Sequence, residues 1–120
     1  MDLFEFDLDS AAENGAEMFI HNPVTGEKTD ASITLKGADS HTFRNAAMEI
    51  AEGDLGRDEY IDRMADLLAA VTVGWKGIEW DGKPLKFSQK EAKRIYIERA
   101  WLRNDIDAFI SERSNFFAAA

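Results

Sequence analysis

Few side chains in this sequence have the type and spacing that chemistry needs. His21 and His41 are the only two histidines, and neither has a second His or Glu at the i, i+4 spacing that lets one helix face hold a metal. There is no cysteine, which removes disulfides, zinc–thiolate sites and thiol nucleophiles together. Asp7-Leu8-Asp9-Ser10 opens like a calcium loop but lacks the glycine and the distal bidentate Glu that such a loop requires. Gly74, Gly77 and Gly82 make a glycine-rich stretch without the Gly-Lys-Ser/Thr ending that cradles a phosphate at a helix start. No serine sits in a Gly-x-Ser-x-Gly elbow. The many carboxylates leave an acid/base pair open, although an acidic surface accounts for them equally well. The residues therefore predict a protein that is not an enzyme and that holds no metal and no cofactor.

Aromatic and basic side chains stand out instead. Trp75 and Trp80 fall in a loop-like stretch and Phe116 and Phe117 near the end of the chain. Tryptophan anchors interfaces because it buries a large area with few rotamers. Either Trp can also fold back as a lid over its own core, and Trp80, flanked by Glu79 and Asp81, is the better candidate for exposure. Phe116 and Phe117 are adjacent and cannot both face one core from a helix, so one is a candidate for contact with a partner. Lys83–Arg103 holds seven bases against Glu91 and Glu98. Its helical part, with Lys90 and Arg94, is a second candidate face, the alternative being an ordinary solvated surface.

The elements that must carry these residues fit within one domain of 120 residues. Charge is unevenly divided: residues 1–60 hold 14 acids and 4 bases, and residues 61–120 hold 9 acids and 10 bases. The total of −9 opposes nonspecific nucleic-acid binding. No apolar run approaches the roughly 18–20 residues that span a bilayer, and the acidic start is unlike a secretory signal. Neither nucleic acid nor membrane is expected as a partner.

Residues 1–16 read as an acidic arm ahead of a globular domain over 17–120. Acid and apolar groups alternate from Phe4 to Asp9, which suits a short strand, a flexible docking arm or a frayed end that packs weakly. Glu17–His21 and Ala31–Lys36 read as strands of a hairpin joined through Asn22-Pro23-Val24-Thr25-Gly26. Asp39 or Ser40 caps a helix to about Glu52, with Phe43, Ala46, Ala47, Ile50 and Ala51 on one face, broken by Gly53 and Gly56. A second helix is expected over Arg57–Val73 and a loop over 74–87, with a turn at Asp81-Gly82. Ser88-Gln89-Lys90-Glu91 is a capping box for a third helix to about Leu102, and Asn104 or Asp105 caps a last one. The expected fold is α+β and mostly helical: an N-terminal β-hairpin packed beside three or four α-helices.

Two stretches carry a resemblance. Ser32-Ile33-Thr34-Leu35-Lys36-Gly37-Ala38-Asp39-Ser40, after the Asn22-Pro23-x-Thr25-Gly26 turn, resembles the N-terminal part of tail assembly chaperones of long-tailed bacteriophages. Gly74-Trp75-Lys76-Gly77-Ile78, Asp81 to Ser88 and the later Arg113-Ser114-Asn115-Phe116 resemble the same group. The resemblance implies a late protein of the host cytoplasm, absent from the mature virion, that binds the tape-measure protein and keeps it soluble while the tail tube assembles. It also implies a longer, frameshifted form through which the tail-tube protein is engaged. The competing expectation is a structural tail or head–tail connector subunit, which would form stable rings and stay in virions. A small enzyme or nucleic-acid regulator using the basic helix is the third.

Overall fold

The computed structural model describes residues 1–50 and 56–117 of the chain. Period-two alternation makes its first sheet: β1 (Ala16–His21) pairs antiparallel with β2 (Lys28–Leu35), Met18 opposite Ile33 and Phe19 opposite Ser32. Met18, Ile33 and Leu35 are buried, while Glu17, Phe19 and His21 are exposed. The connection is held by Asn22, whose Oδ1 accepts from the backbone N–H groups of Val24 at 2.8 Å and Thr25 at 3.1 Å.

A third strand departs from the sequence expectation. The helix α3 (Arg57–Ala70) stops before Val73, and Thr72–Lys76 forms β3, antiparallel to β2 with Trp75 opposite Ile33. Val71, Thr72 and Val73 are all β-branched and suit a strand better than a helix end. The free edge of β2 then supplies the ladder that no local pattern announces. The sheet order is β1-β2-β3, which leaves β1 and β3 as its edges.

The expected loop over 74–87 also contains a small hairpin, β4 (Glu79–Trp80) with β5 (Lys83–Pro84). Its turn is Asp81-Gly82, both at positive φ (52° and 78°), the backbone that a tight two-residue hairpin demands.

The first residues are not a strand. Leu3–Glu5 is a 3₁₀ turn and Leu8–Asn14 is the helix α1. Asp2 and Asp7 accept from the backbone N–H groups of Phe4 and Ser10, each at 3.0 Å, and these caps override the alternation. Ala12 is buried. Every described hydrogen bond of residues 1–7 stays within residues 1–11.

Helix α2 (His41–Met48) begins where Ser40 accepts from the N–H of Phe43 at 3.1 Å. Of the positions expected around its end, Ala51, Glu52 and Gly53 lie outside the described residues. In α4 (Gln89–Glu98) Ser88 accepts from the N–H of Glu91 at 3.0 Å, while the Glu91 carboxylate pairs with Arg94 rather than closing the other half of the box. The chain breaks at Arg99, and α5 (Ala100–Ser111) starts four residues before the expected cap at Asn104. No Gly or Pro marks this break. Arg103 reaches back and donates to the carbonyl of Tyr96 at 2.7 Å, covering the open end of α4.

Helices α3, α4 and α5 cover one face of the sheet, with Leu68, Ile95, Tyr96, Ile106 and Ile110 against Ile33 and Leu35. Lys93 ties α4 to α3 through Asp62 and Asp66 at 3.2 and 3.1 Å. The fold is α+β and mostly helical, as expected, with five helices among the described residues and a sheet larger than one hairpin. Among these residues no helix is long and apolar enough to cross a membrane.

Candidate functional site: an apolar trough beside a free strand edge

The edge of β1 that β2 leaves unpaired looks across a gap to α5. Two hollows of about 680 and 770 Å³ share Ile20, His21 and Leu102; the second lies between β1 and α5, and the first reaches across the end of the sheet to Thr29, Ala31 and Gly77. The second is lined by Met18, Phe19, Ile20 and His21 in succession. Successive strand residues alternate between faces, so this hollow meets the strand along its edge. An edge strand presents backbone N–H and C=O groups that lack a ladder partner. Across the gap stand Leu102, Ala108 and Phe109, and the first hollow adds Ile95, Trp101, Ile78 and Trp80. The result is an apolar trough with a hydrogen-bonding rim. Charges of both signs border it: Lys28 and Arg99, with Glu79, Asp81 and Asp105.

Trp80 forms one wall. The Asp81-Gly82 turn holds it on β4, half-buried, with the guanidinium carbons of Arg94 and Arg99 each 4.6 Å from its ring centre. Each such contact is worth about 0.5–1 kcal/mol at an exposed site. Arg94 is oriented by Glu91 at 2.6 Å and Glu98 at 3.5 Å, whereas Arg99 has no carboxylate partner among the described residues. Lys90 is exposed on the first turn of the same helix. Trp80 and Arg94 thus come together, with Lys90 one turn away.

Trp75 is placed differently. Its indole N–H donates to the carbonyl of Leu85 at 2.8 Å, and its ring meets Phe87 edge-to-face at 5.0 Å. It fastens the 85–87 segment to β3. Phe116 packs edge-on against Phe109 at 5.6 Å, with Gly37 close enough that an added Cβ would meet the ring at 3.1 Å. Phe117 stacks on Phe6 with ring centres 6.2 Å apart. Gly37 follows the end of β2 that pairs with Ala16, and the first hollow lies at the His21 end of β1. The two phenylalanines and Trp80 are therefore at opposite ends of β1, about 17 Å apart along the strand.

Sequence reasoning missed Trp101, Arg99 and the β1 edge. The seven-residue spacing of Ile95 and Leu102 hints at one shared face, but the break at Arg99 resets the helical phase, and an edge is a property of the assembled sheet. Among the described residues no three His, Asp or Glu side chains gather to hold a metal ion. Compared with known proteins, the chain matches no family model, no curated protein and no solved structure.

Proposed function

We propose that this chain is a tail assembly chaperone of a long-tailed bacteriophage that binds the tape-measure protein and acts without catalysis. The observation that carries this reading is the open apolar trough between β1 and α5, walled by Trp80. A tape-measure protein without its tube exposes apolar helix stripes, and a trough with a few aromatic anchors can cover such a stripe reversibly. A formal charge of −9 keeps the resulting complex soluble. The motifs around Ser32–Ser40 and Gly74–Ser88 supply the family resemblance. The protein then works in the host cytoplasm and leaves before the virion matures, and a frameshifted longer form recruits the tail-tube protein.

Co-expression with the tape-measure protein of the same phage tests this. The expected result is a soluble tape measure that co-purifies with the chain, lost on Trp80→Ala while the chaperone stays folded and its melting temperature falls less than in Trp75→Ala. A tape measure that aggregates equally with and without the chain and its frameshifted form overturns the reading.

A further inference from the structure

We infer that Asn14-Gly15 is a site of spontaneous chemical modification, at which Asn14 converts to isoaspartate and unfastens helix α1 from the domain. Of the five asparagines, Asn14 alone is followed by glycine. It is exposed at the last position of α1, and its side chain makes no described hydrogen bond. The backbone N–H of Gly15 has no described acceptor either. An amide carbon and a backbone nitrogen that nothing else engages are thus neighbours in the chain.

The other four asparagines are protected. Pro23 follows Asn22 and has no N–H, and the Asn22 side chain is held by Val24 and Thr25. Ala46 and Asp105, which follow Asn45 and Asn104, lie inside α2 and α5, where each N–H is bonded four residues back. The N–H of Phe116 donates to the Arg113 carbonyl at 3.0 Å, and the Asn115 amide donates to that of Phe109 at 2.9 Å.

The fold also fixes the glycine. Gly15 stands at φ 82° and ψ 169°, a backbone open essentially to glycine alone, and an added Cβ would meet the Leu35 carbonyl oxygen at 3.1 Å. Having no side chain, it leaves the approach to its own nitrogen clear.

In the first step the Gly15 nitrogen gives up its proton and bonds to Cγ of Asn14. The Cγ–Nδ2 bond breaks, and ammonia leaves with that proton, closing a five-membered succinimide. Water then adds to one of the two ring carbonyls. Opening at Cγ gives aspartate, and opening at the main-chain carbonyl gives isoaspartate. One water is consumed, one ammonia is released and nothing is oxidised. Ring closure takes Asn14 out of helical backbone, which the fraying last turn of a seven-residue helix allows.

Isoaspartate lengthens the main chain by one carbon between α1 and β1 and places a carboxylate at the negative end of the helix. Ala16, on the far side, is anchored in the sheet opposite Leu35. The change therefore falls on α1, whose ties are the Ala12 carbonyl, accepting from the N–H of Gly37 at 3.0 Å, and Glu13, accepting from that of Thr42 at 2.7 Å.

The test is to age the full chain in mildly alkaline buffer and follow its intact mass, its peptide map and its methylation by an isoaspartyl methyltransferase. No tape-measure protein is needed, so the outcome is separate from that of the chaperone reading. The expected result is a gain of about 1 Da and one negative charge, with the methyl-accepting residue mapped to position 14. Asn14→Gln, whose longer side chain disfavours the ring, should lose the signal while staying folded. Hydrogen exchange on the aged chain should show faster exchange at the Gly37 and Thr42 amides and an unchanged Tyr96 amide. An unchanged mass, isoaspartate only at another position, or a signal that survives Asn14→Gln overturns the inference. So does an isoaspartate form whose Gly37 and Thr42 amides keep their protection.

Discussion

Tyr96 and Thr72 show how a single hydroxyl pair fixes the junction of helix and strand. Thr72 donates to the carbonyl of Leu68 at 2.8 Å, so the Tyr96 hydroxyl, 2.8 Å away, must donate to Thr72. Thr72→Val leaves a buried phenol without an acceptor and should cost about 1–3 kcal/mol, more than the roughly 1 kcal/mol of Tyr96→Phe, as read by urea unfolding. Burial pushes the Tyr96 phenol from 10.0 up to about 12. The unfolded chain ionises first, so this contribution is complete below pH 10 and is lost as the pH rises towards 12. Alkaline melts should show that loss in the natural chain and a smaller one in Tyr96→Phe. The tryptophans separate in the same way. Trp75→Ala removes a hydrogen bond and an aromatic contact from the fold and should lower stability by about 3 kcal/mol. Trp80→Ala should cost much less and act mainly on binding, measured by parallel melts and pull-downs.

At the scale of elements, the coupling of α1 to α2 rests on Glu13. Its carboxylate accepts from the backbone N–H of Thr42 at 2.7 Å and pairs with Lys36 at 3.1 Å, adding a second cap beside Ser40. The Thr42 N–H first, and Lys36 after it, hold the carboxyl down at about 2, from the 4.5 of an ordinary Glu. A lowered value means stability present above about pH 4.5 and lost as the pH falls through 2. Glu13→Gln should destabilise by about 1 kcal/mol at pH 7 and flatten the pH dependence of the melting temperature between pH 5 and 2. The starts of α2 and α4 were legible because Ser40 and Ser88 are local signals, satisfied within three residues. The α4–α5 break at Arg99 was not, because its stop is made by Arg103 reaching back to Tyr96. Alternation over Phe4–Asp9 misled for a related reason, since period two marks a strand only where a partner edge is at hand.

Across the whole molecule the described contacts divide unevenly between a well-tied body and a loosely held start. Sheet, α3, α4 and α5 share one core, whereas the described hydrogen bonds of residues 1–7 reach no further than Ala11. Hydrogen exchange on the dilute monomer should therefore find Leu3–Phe6 amides nearly unprotected and those of β2 and Tyr96 the slowest. Of the two edge strands, β3 is tied to the following segment through Trp75 and Gln89, whose side chain donates to the Thr72 carbonyl at 3.1 Å, whereas β1 borders the hollow shared with α5.

The sequence by itself determined the first hairpin, the starts of α2, α3 and α4, the Asp81-Gly82 turn and the α+β class, because each depends on side chains acting over a few residues of backbone. It also located Trp80 and Arg94 as residues of interest from type alone. Tertiary structure decided that Thr72–Lys76 is a strand, that Trp75 faces inward while Trp80 lies under two arginines, and that Phe116 and Phe117 sit away from both. It alone made the trough, which exists only where the unpaired edge of β1 meets α5 from far along the chain. Edges, gaps and cation–aromatic contacts are relations between distant segments, and no spacing within one segment encodes them.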